Sequence, residues 1–175
     1  CSRDWSSDVC SSDLLRSALA RVGRIFAGKK PVGKDDPVEY SCQQNFALLT
    51  TDGFWNTDQE SDVQNIGGSQ IGNQDGGATA RPQFEGPVAS TNTLADVAKY
   101  YYDTDLRNSS FGNCTGALGT DVCKDNVFTS AKDPNNRQHM TTYTLGLGVD
   151  GELRYRPDYA TAGTGDYDKI QKGTL

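Results

Sequence analysis

NFALLTT, Asn45 to Thr51, runs straight into Asp52-Gly53. A short, mostly apolar run closed by a turn signal reads as a strand buried on both faces. Asp52 then stands at the strand's carboxyl end, where Gly53 permits a sharp turn. A second run, MTTYTLGLGV from Met140 to Val149, combines Thr with β-branched and aromatic residues and reads as another strand. Gly146 and Gly148 near its end suit a close backbone approach.

Two amphipathic segments alternate with these runs. Leu15, Ala18, Leu19, Val22, Ile25 and Phe26 fall on one helical face, which Gly28, Lys29, Lys30 and Pro31 terminate. TLADVAKYYYDTDLR, Thr93 to Arg107, reads as the best helix of the chain, with Thr93 and Asp96 forming a capping box and Leu94, Val97, Ala98 and Tyr101 the buried stripe. Asp166 to Gln171 reads as the first turn of a further helix. Helix, strand, helix, strand in this order predicts an α/β domain with a parallel sheet. Between these elements lie long Gly-, Asn- and Asp-rich loops. Asn56 to Ser90 reads as surface excursion rather than core, and Asn108 to Asn136 as loop.

The chain has 175 residues, enough for one domain with a core, and a formal charge of −6 that argues against nucleic acid as the main partner. A single histidine, His139, removes most zinc sites and most histidine-based catalysis; it reads as a loop or strand-edge residue. No apolar run approaches a membrane span.

The first 14 residues, CSRDWSSDVCSSDL, fit nothing that follows. Asp4 to Leu14 resembles one translated reading frame of a common sequencing adapter, so residues 1–14 are set aside from the fold as an assembly artefact, and residues 15–175 are taken as the domain. The alternatives are a polar disordered N-terminus and a lipoprotein whose mature chain starts at Cys1. Without the segment the charge is −4 and the cysteines are Cys42, Cys114 and Cys123.

Each motif has a plainer reading beside it. GRIFAGKK, Gly23 to Lys30, fits a phosphate-loop spacing but lacks the Ser or Thr that holds magnesium and sits at a helix end. Asn56, Asp58, Glu60 and Asp62 alternate like a calcium loop without its Gly and closing Glu, which favours a solvated acidic loop. Asp75-Gly76 is most simply a turn. Cys114 and Cys123 enclose TGALGTDV, a polar loop with neither a core to enter nor histidines for zinc, so a disulfide is expected over two separate thiols. Such a bridge implies an oxidising compartment. Asp52 at a strand end can hold a hard cation, or it can simply turn the chain.

PVEYSCQQNFALLTTDGFWN (Pro37 to Asn56), IGNQDG (Ile71 to Gly76), TLADVAKYYYDTDLR and QHMTTYTLGLGVDGEL (Gln138 to Leu153) occur in this order. Together they resemble the N-terminal region of the type IV pilus tip-associated adhesins and biogenesis factors of the PilY class. The resemblance implies a von Willebrand factor A-like, Rossmann-type fold, here a partial doubly wound sheet, with a metal-ion-dependent adhesion site. Of that site's elements only Thr51-Asp52-Gly53 matches: Asp52 takes the metal role, Thr51 and Gly53 support its turn, and no DxSxS motif occurs. Magnesium or calcium is therefore expected to bind weakly or not at all. The implied function is non-enzymatic: pilus assembly and adhesion at the pilus tip, in the periplasm or at the cell surface. The implied partners are pilins, minor pilins and host or abiotic surface ligands. The competing readings are a secreted hydrolase working through Asp52 and Asp75, for which no apolar pocket is evident, and a purely structural segment of a larger surface protein.

Overall fold

The computed structural model describes residues 15–29, 36–51, 62–74, 91–131, 133–146, 153–159 and 161–172. In chain order these form α1 (Leu15–Phe26), β1 (Asn45–Thr51), α2 (Leu94–Asp103), a single 3₁₀ turn (Ser109–Phe111), β2 (Met140–Gly146) and α3 (Asp166–Lys172). The two strands pair in parallel, in register from Asn45 beside Met140 to Thr51 beside Gly146. The α/β class with a parallel sheet is thus present at the scale of two strands. Residues 1–14 lie outside the described residues.

α1 and α2 pack on one face of the sheet. The core they close combines Leu19, Ala20 and Ala27 from the α1 region, Ala47 and Met140 from the strands, and Val97, Tyr101 and Leu106 from α2 and the residues after it. α2 starts as expected: the Thr93 hydroxyl accepts from the Asp96 N–H, and the Asp96 carboxylate accepts from the Thr93 N–H at 3.0 Å. Asp96 also accepts from the Gln74 N–H at 2.6 Å, so its buried carboxylate ties the helix start to the preceding loop.

Four expectations are corrected. β1 is buried on one face only: Asn45 and Ala47 point inward, whereas Phe46 and Leu48 are exposed, because the described helices cover a single face. The buried side of α1 is rotated from the predicted stripe, with Ala18 exposed and Ser17, Ala20 and Gly23 inside. The cause is α2, whose Tyr101 ring lies so close that a Cβ at position 23 would approach it to 2.3 Å. Gly23 faces the partner helix, and the larger Val22, Ile25 and Phe26 are half-buried. α2 itself ends at Asp103 rather than Arg107; Leu106 leaves the helix to donate to the Gln138 carbonyl at 2.8 Å, just ahead of β2.

The fourth correction concerns the 56–90 excursion, which contributes to the core. Val63, Ile66 and Ile71 are buried, brought inward by a tight turn in which Ile71 donates to Val63 (3.1 Å) and Asn65 to Ser69 (2.8 Å). Tyr101 fastens this turn through its hydroxyl, which donates to the Gln64 carbonyl at 2.6 Å. Among the described residues no helix is long and apolar enough to cross a membrane.

Candidate functional site

The parallel register brings the carboxyl ends of β1 and β2 level, with Thr51 beside Gly146. In open α/β sheets ligands bind outside these ends. Thr51 is the last residue of β1; Asp52 and Gly53, the predicted metal ligand and its turn, lie outside the described residues, as do Asn56, Asp58, Glu60 and Asp75. Asp62 is described, and it accepts the Ser17 hydroxyl at 2.6 Å, a link from loop to α1.

A hard cation needs about six oxygen ligands in near-octahedral order. Among the described residues the only grouping of three candidate metal-binding side chains is Cys114, Asp121 and Cys123. Both of its sulfurs are joined in a disulfide, which leaves one carboxylate and no site. Among the described residues no set of oxygen ligands for magnesium or calcium is brought together, and Asp52 lies outside them.

The Cys114–Cys123 bridge closes the predicted loop, with Cα atoms 5.0 Å apart. Inside it Gly116 accepts from Gly119 at 3.0 Å, with Gly119 in the left-handed region (φ 75°). The loop docks on the irregular stretch at Val38: Ala117 donates to the Val38 carbonyl at 2.9 Å, and Thr120 donates to that of Glu39. Val122 is buried beneath it, and a Cβ at Gly116 would meet both Val122 and the Val38 carbonyl at 2.6 Å. Cys42 is a free, exposed thiol.

Within the phosphate-loop spacing, Gly23 to Lys29 form a helix end in space as well, and Lys30 lies outside the described residues. Gly23 to Phe26 belong to α1, Gly28 takes the left-handed turn that closes it (φ 64°), and Lys29 donates to the Phe111 carbonyl.

Sequence reading missed an arginine. Arg107 is 1% exposed; its Nε donates to the Phe26 carbonyl at 2.7 Å, Nη1 to that of Asn113 at 3.3 Å, and Nη2 to the Asp36 carboxylate. Asn113 donates in turn to the carbonyls of Ala27 (2.9 Å) and Leu106 (2.6 Å). The pair caps the carboxyl end of α1, where unpaired carbonyls and the helix dipole favour a cation. The only sequence signal was the helix-closing glycine at position 28.

A second polar cluster forms where α2 meets the approach to β2. The Tyr102 hydroxyl donates to Asp133 at 2.6 Å, the buried His139 ring lies edge-on to Tyr102 with centroids 5.0 Å apart, and His139 Nε2 is 3.5 Å from Asp133. Nδ1 of His139 lies 2.7 Å from the Arg137 carbonyl oxygen. The Tyr102 hydrogen bond holds the Asp133 carboxyl below its usual range, while burial, reinforced by Asp133, pushes the Tyr102 phenol up to about 12. The cluster anchors the segment that leads into β2, and His139 stands just before the strand, as expected.

Two helices against two parallel strands, with a disulfide-closed loop docked alongside, define a disulfide-bonded α/β segment. Comparison with known proteins makes this particular. The chain is 32% identical over 184 aligned positions to the type IV pilus biogenesis factor PilY1 of Pseudomonas aeruginosa strain PAK, covering 92% of this chain and 14% of that protein. PilY1 of strain PAO1 is 30% identical, covering 92% of this chain and 15% of its own length, and PilY1 of strain UCBPP-PA14 is 28% identical, covering 91% and 14%. Along nine-tenths of its length the chain therefore matches one segment of the PilY class of type IV pilus biogenesis factors. It spans 14–15% of the length of these relatives. No family model matches the chain, and no solved structure does.

Proposed function

We propose that this chain is part of a non-enzymatic adhesion and assembly module of type IV pili, acting at the pilus tip outside the cytoplasm. The observation that carries the reading is the match to PilY1 along 92% of the chain. The bridge between Cys114 and Cys123 suits an exported protein. In this reading residues 15–175 form part of a von Willebrand factor A-like domain, and the level carboxyl ends of β1 and β2 are its binding edge, with Asp52 the residue that faces a divalent cation. The cation is held weakly or not at all by this chain, since one carboxylate cannot complete an octahedral shell. Pilins, minor pilins and surface ligands are the partners of the longer protein.

The test has two parts. In the full-length protein, removing the segment that corresponds to Pro37–Leu153 is expected to reduce surface pili and attachment to surfaces; unchanged piliation and attachment would sink the reading. For the cation, calorimetric titration of the 175-residue chain with magnesium or manganese is expected to show no saturable binding. Tight binding lost on Asp52→Ala would contradict the weak site.

A further inference from the structure

Cys114, Asp121 and Cys123 stand together on one small hairpin. Their two sulfurs and an oxygen of the Asp121 carboxylate all lie within 4.8 Å of one another, with the cysteines half-buried and Asp121 exposed. The Cys123 N–H, donating to Asp121 at 3.0 Å, holds that carboxylate beside the bridge. In the oxidised chain the sulfurs are bonded to each other and hold no metal. Opened, they are two thiolates next to a carboxylate, a donor set suited to zinc rather than to magnesium or calcium.

The hairpin does not depend on the S–S bond alone. Thr115 and Asp121 form an antiparallel bridge, and Val122 donates to the Cys114 carbonyl and Gly116 to that of Thr120, both at 2.9 Å. Val122 is fully buried, and Ala117 and Thr120 tie the loop to the carbonyls of Val38 and Glu39. These contacts keep the Cα atoms of the two cysteines near their 5.0 Å separation when the bridge opens. Zn–S bonds of about 2.3 Å and a Zn–O bond of about 2.1 Å put neighbouring ligand atoms of a tetrahedron roughly 3.6–3.8 Å apart, a spacing that side-chain rotation on this hairpin can reach. No imidazole competes for the ion, because His139 is the single histidine of the chain and is buried against Tyr102 and Asp133.

We propose that reduction converts this loop into a zinc site, with the Cys114 and Cys123 thiolates and the Asp121 carboxylate as three ligands and water as the fourth. A dithiol supplies the two electrons: one of its sulfurs attacks the bridge, the second completes the exchange, and it leaves as its own disulfide while its two protons pass to Cys114 and Cys123. Zn²⁺ then displaces both thiol protons to water. The loop is closed by its S–S bond or by the ion, never by both. Neither Asp52 nor any pilus partner is involved, so the proposal and the adhesion reading fail separately.

The test uses the 175-residue chain carrying Cys1→Ser, Cys10→Ser and Cys42→Ser, in which only Cys114 and Cys123 can supply thiolates. After reduction and removal of the reductant without air, titration with Co²⁺ is expected to give thiolate-to-cobalt charge-transfer absorption that saturates at one ion per chain and is displaced by Zn²⁺. The oxidised chain is expected to show no such band. Asp121→Asn, which keeps an acceptor for the Cys123 N–H, is expected to weaken Zn²⁺ binding by about tenfold or more, the effect that loss of an outer-shell partner already has. No band from the reduced chain, the same band from the oxidised chain, one ion shared by two chains, or equal affinity of Asp121→Asn would each overturn the proposal. So would loss of the native circular dichroism on reduction alone, since the ligands must stay in place without the bridge.

Discussion

Arg107 shows how much one side chain can organise without any chemistry at a surface. Its guanidinium reaches the loop at Asn113 close by in sequence, and the end of α1 and the loop at Asp36, 81 and 71 residues earlier in the chain. Truncating it strands the Asp36 carboxylate and the carbonyls at the helix end. Arg107→Met is therefore expected to lower unfolding free energy by about 3 kcal/mol, read from urea midpoints. Arg107→Lys should recover little of this, since a single ammonium cannot follow the planar fork to three acceptors. The Tyr102–Asp133 bond gives a pH-dependent counterpart. The folded Asp133 carboxyl is held below its ordinary value of 3.8, so its contribution is present above that pH and is lost as pH falls below it. The folded Tyr102 phenol is raised from 10.0 to about 12, so its contribution is intact below pH 10 and lost as pH rises through that window. Tyr102→Phe should cost about 1 kcal/mol at neutral pH, and the gap to the parent chain should shrink on both the acid and alkaline sides. A gap independent of pH would contradict the assignment.

At the scale of elements, the α1–α2 contact turns on the glycine at position 23. Helix propensity alone favours Gly→Ala inside a helix by about 1 kcal/mol. Here the added methyl would meet the Tyr101 ring at 2.3 Å, a ring that is fully buried and fixed by its bond to Gln64. Overpacking wins, and Gly23→Ala is expected to destabilise by about 1–3 kcal/mol in chemical denaturation. The disulfide loop is the other element whose geometry carries energy. Opening it releases a loop of about ten residues, worth roughly 2.7 kcal/mol on the chain-entropy model. Reduction should lower the thermal midpoint and raise the thiol count by two, with Cys42 reactive both before and after.

For the molecule as a whole, solution behaviour is set by the exposed apolar side chains of the sheet, Phe46, Leu48, Tyr143 and Leu145, and by a sheet of only two strands among the described residues. Exposed apolar patches and open edges invite association. The 175-residue chain by itself should bind a hydrophobic dye and elute as a concentration-dependent mixture. Leu48→Thr with Leu145→Thr should reduce both effects without lowering the thermal midpoint, because neither side chain is buried here. A monomeric elution profile for the unaltered chain would refute this.

Local order was legible in the chain itself: where β1 and β2 run, the capping box at Thr93 and Asp96, the one buried ring among Tyr100, Tyr101 and Tyr102, and the pairing of Cys114 with Cys123. Each depends on spacing between near neighbours, which sequence records directly. Which side of α1 turned inward, why α2 stops at Asp103, and that Val63, Ile66 and Ile71 enter the core were not legible. They depend on contacts between segments distant in the chain: Tyr101 against Gly23, Leu106 against Gln138, and Tyr101 against Gln64. The same holds for the sheet. An apolar strand such as NFALLTT needs cover on both sides, and only the tertiary structure decides which side already has it; α1 and α2 cover Ala47 and Met140 and leave Phe46 and Leu48 in water.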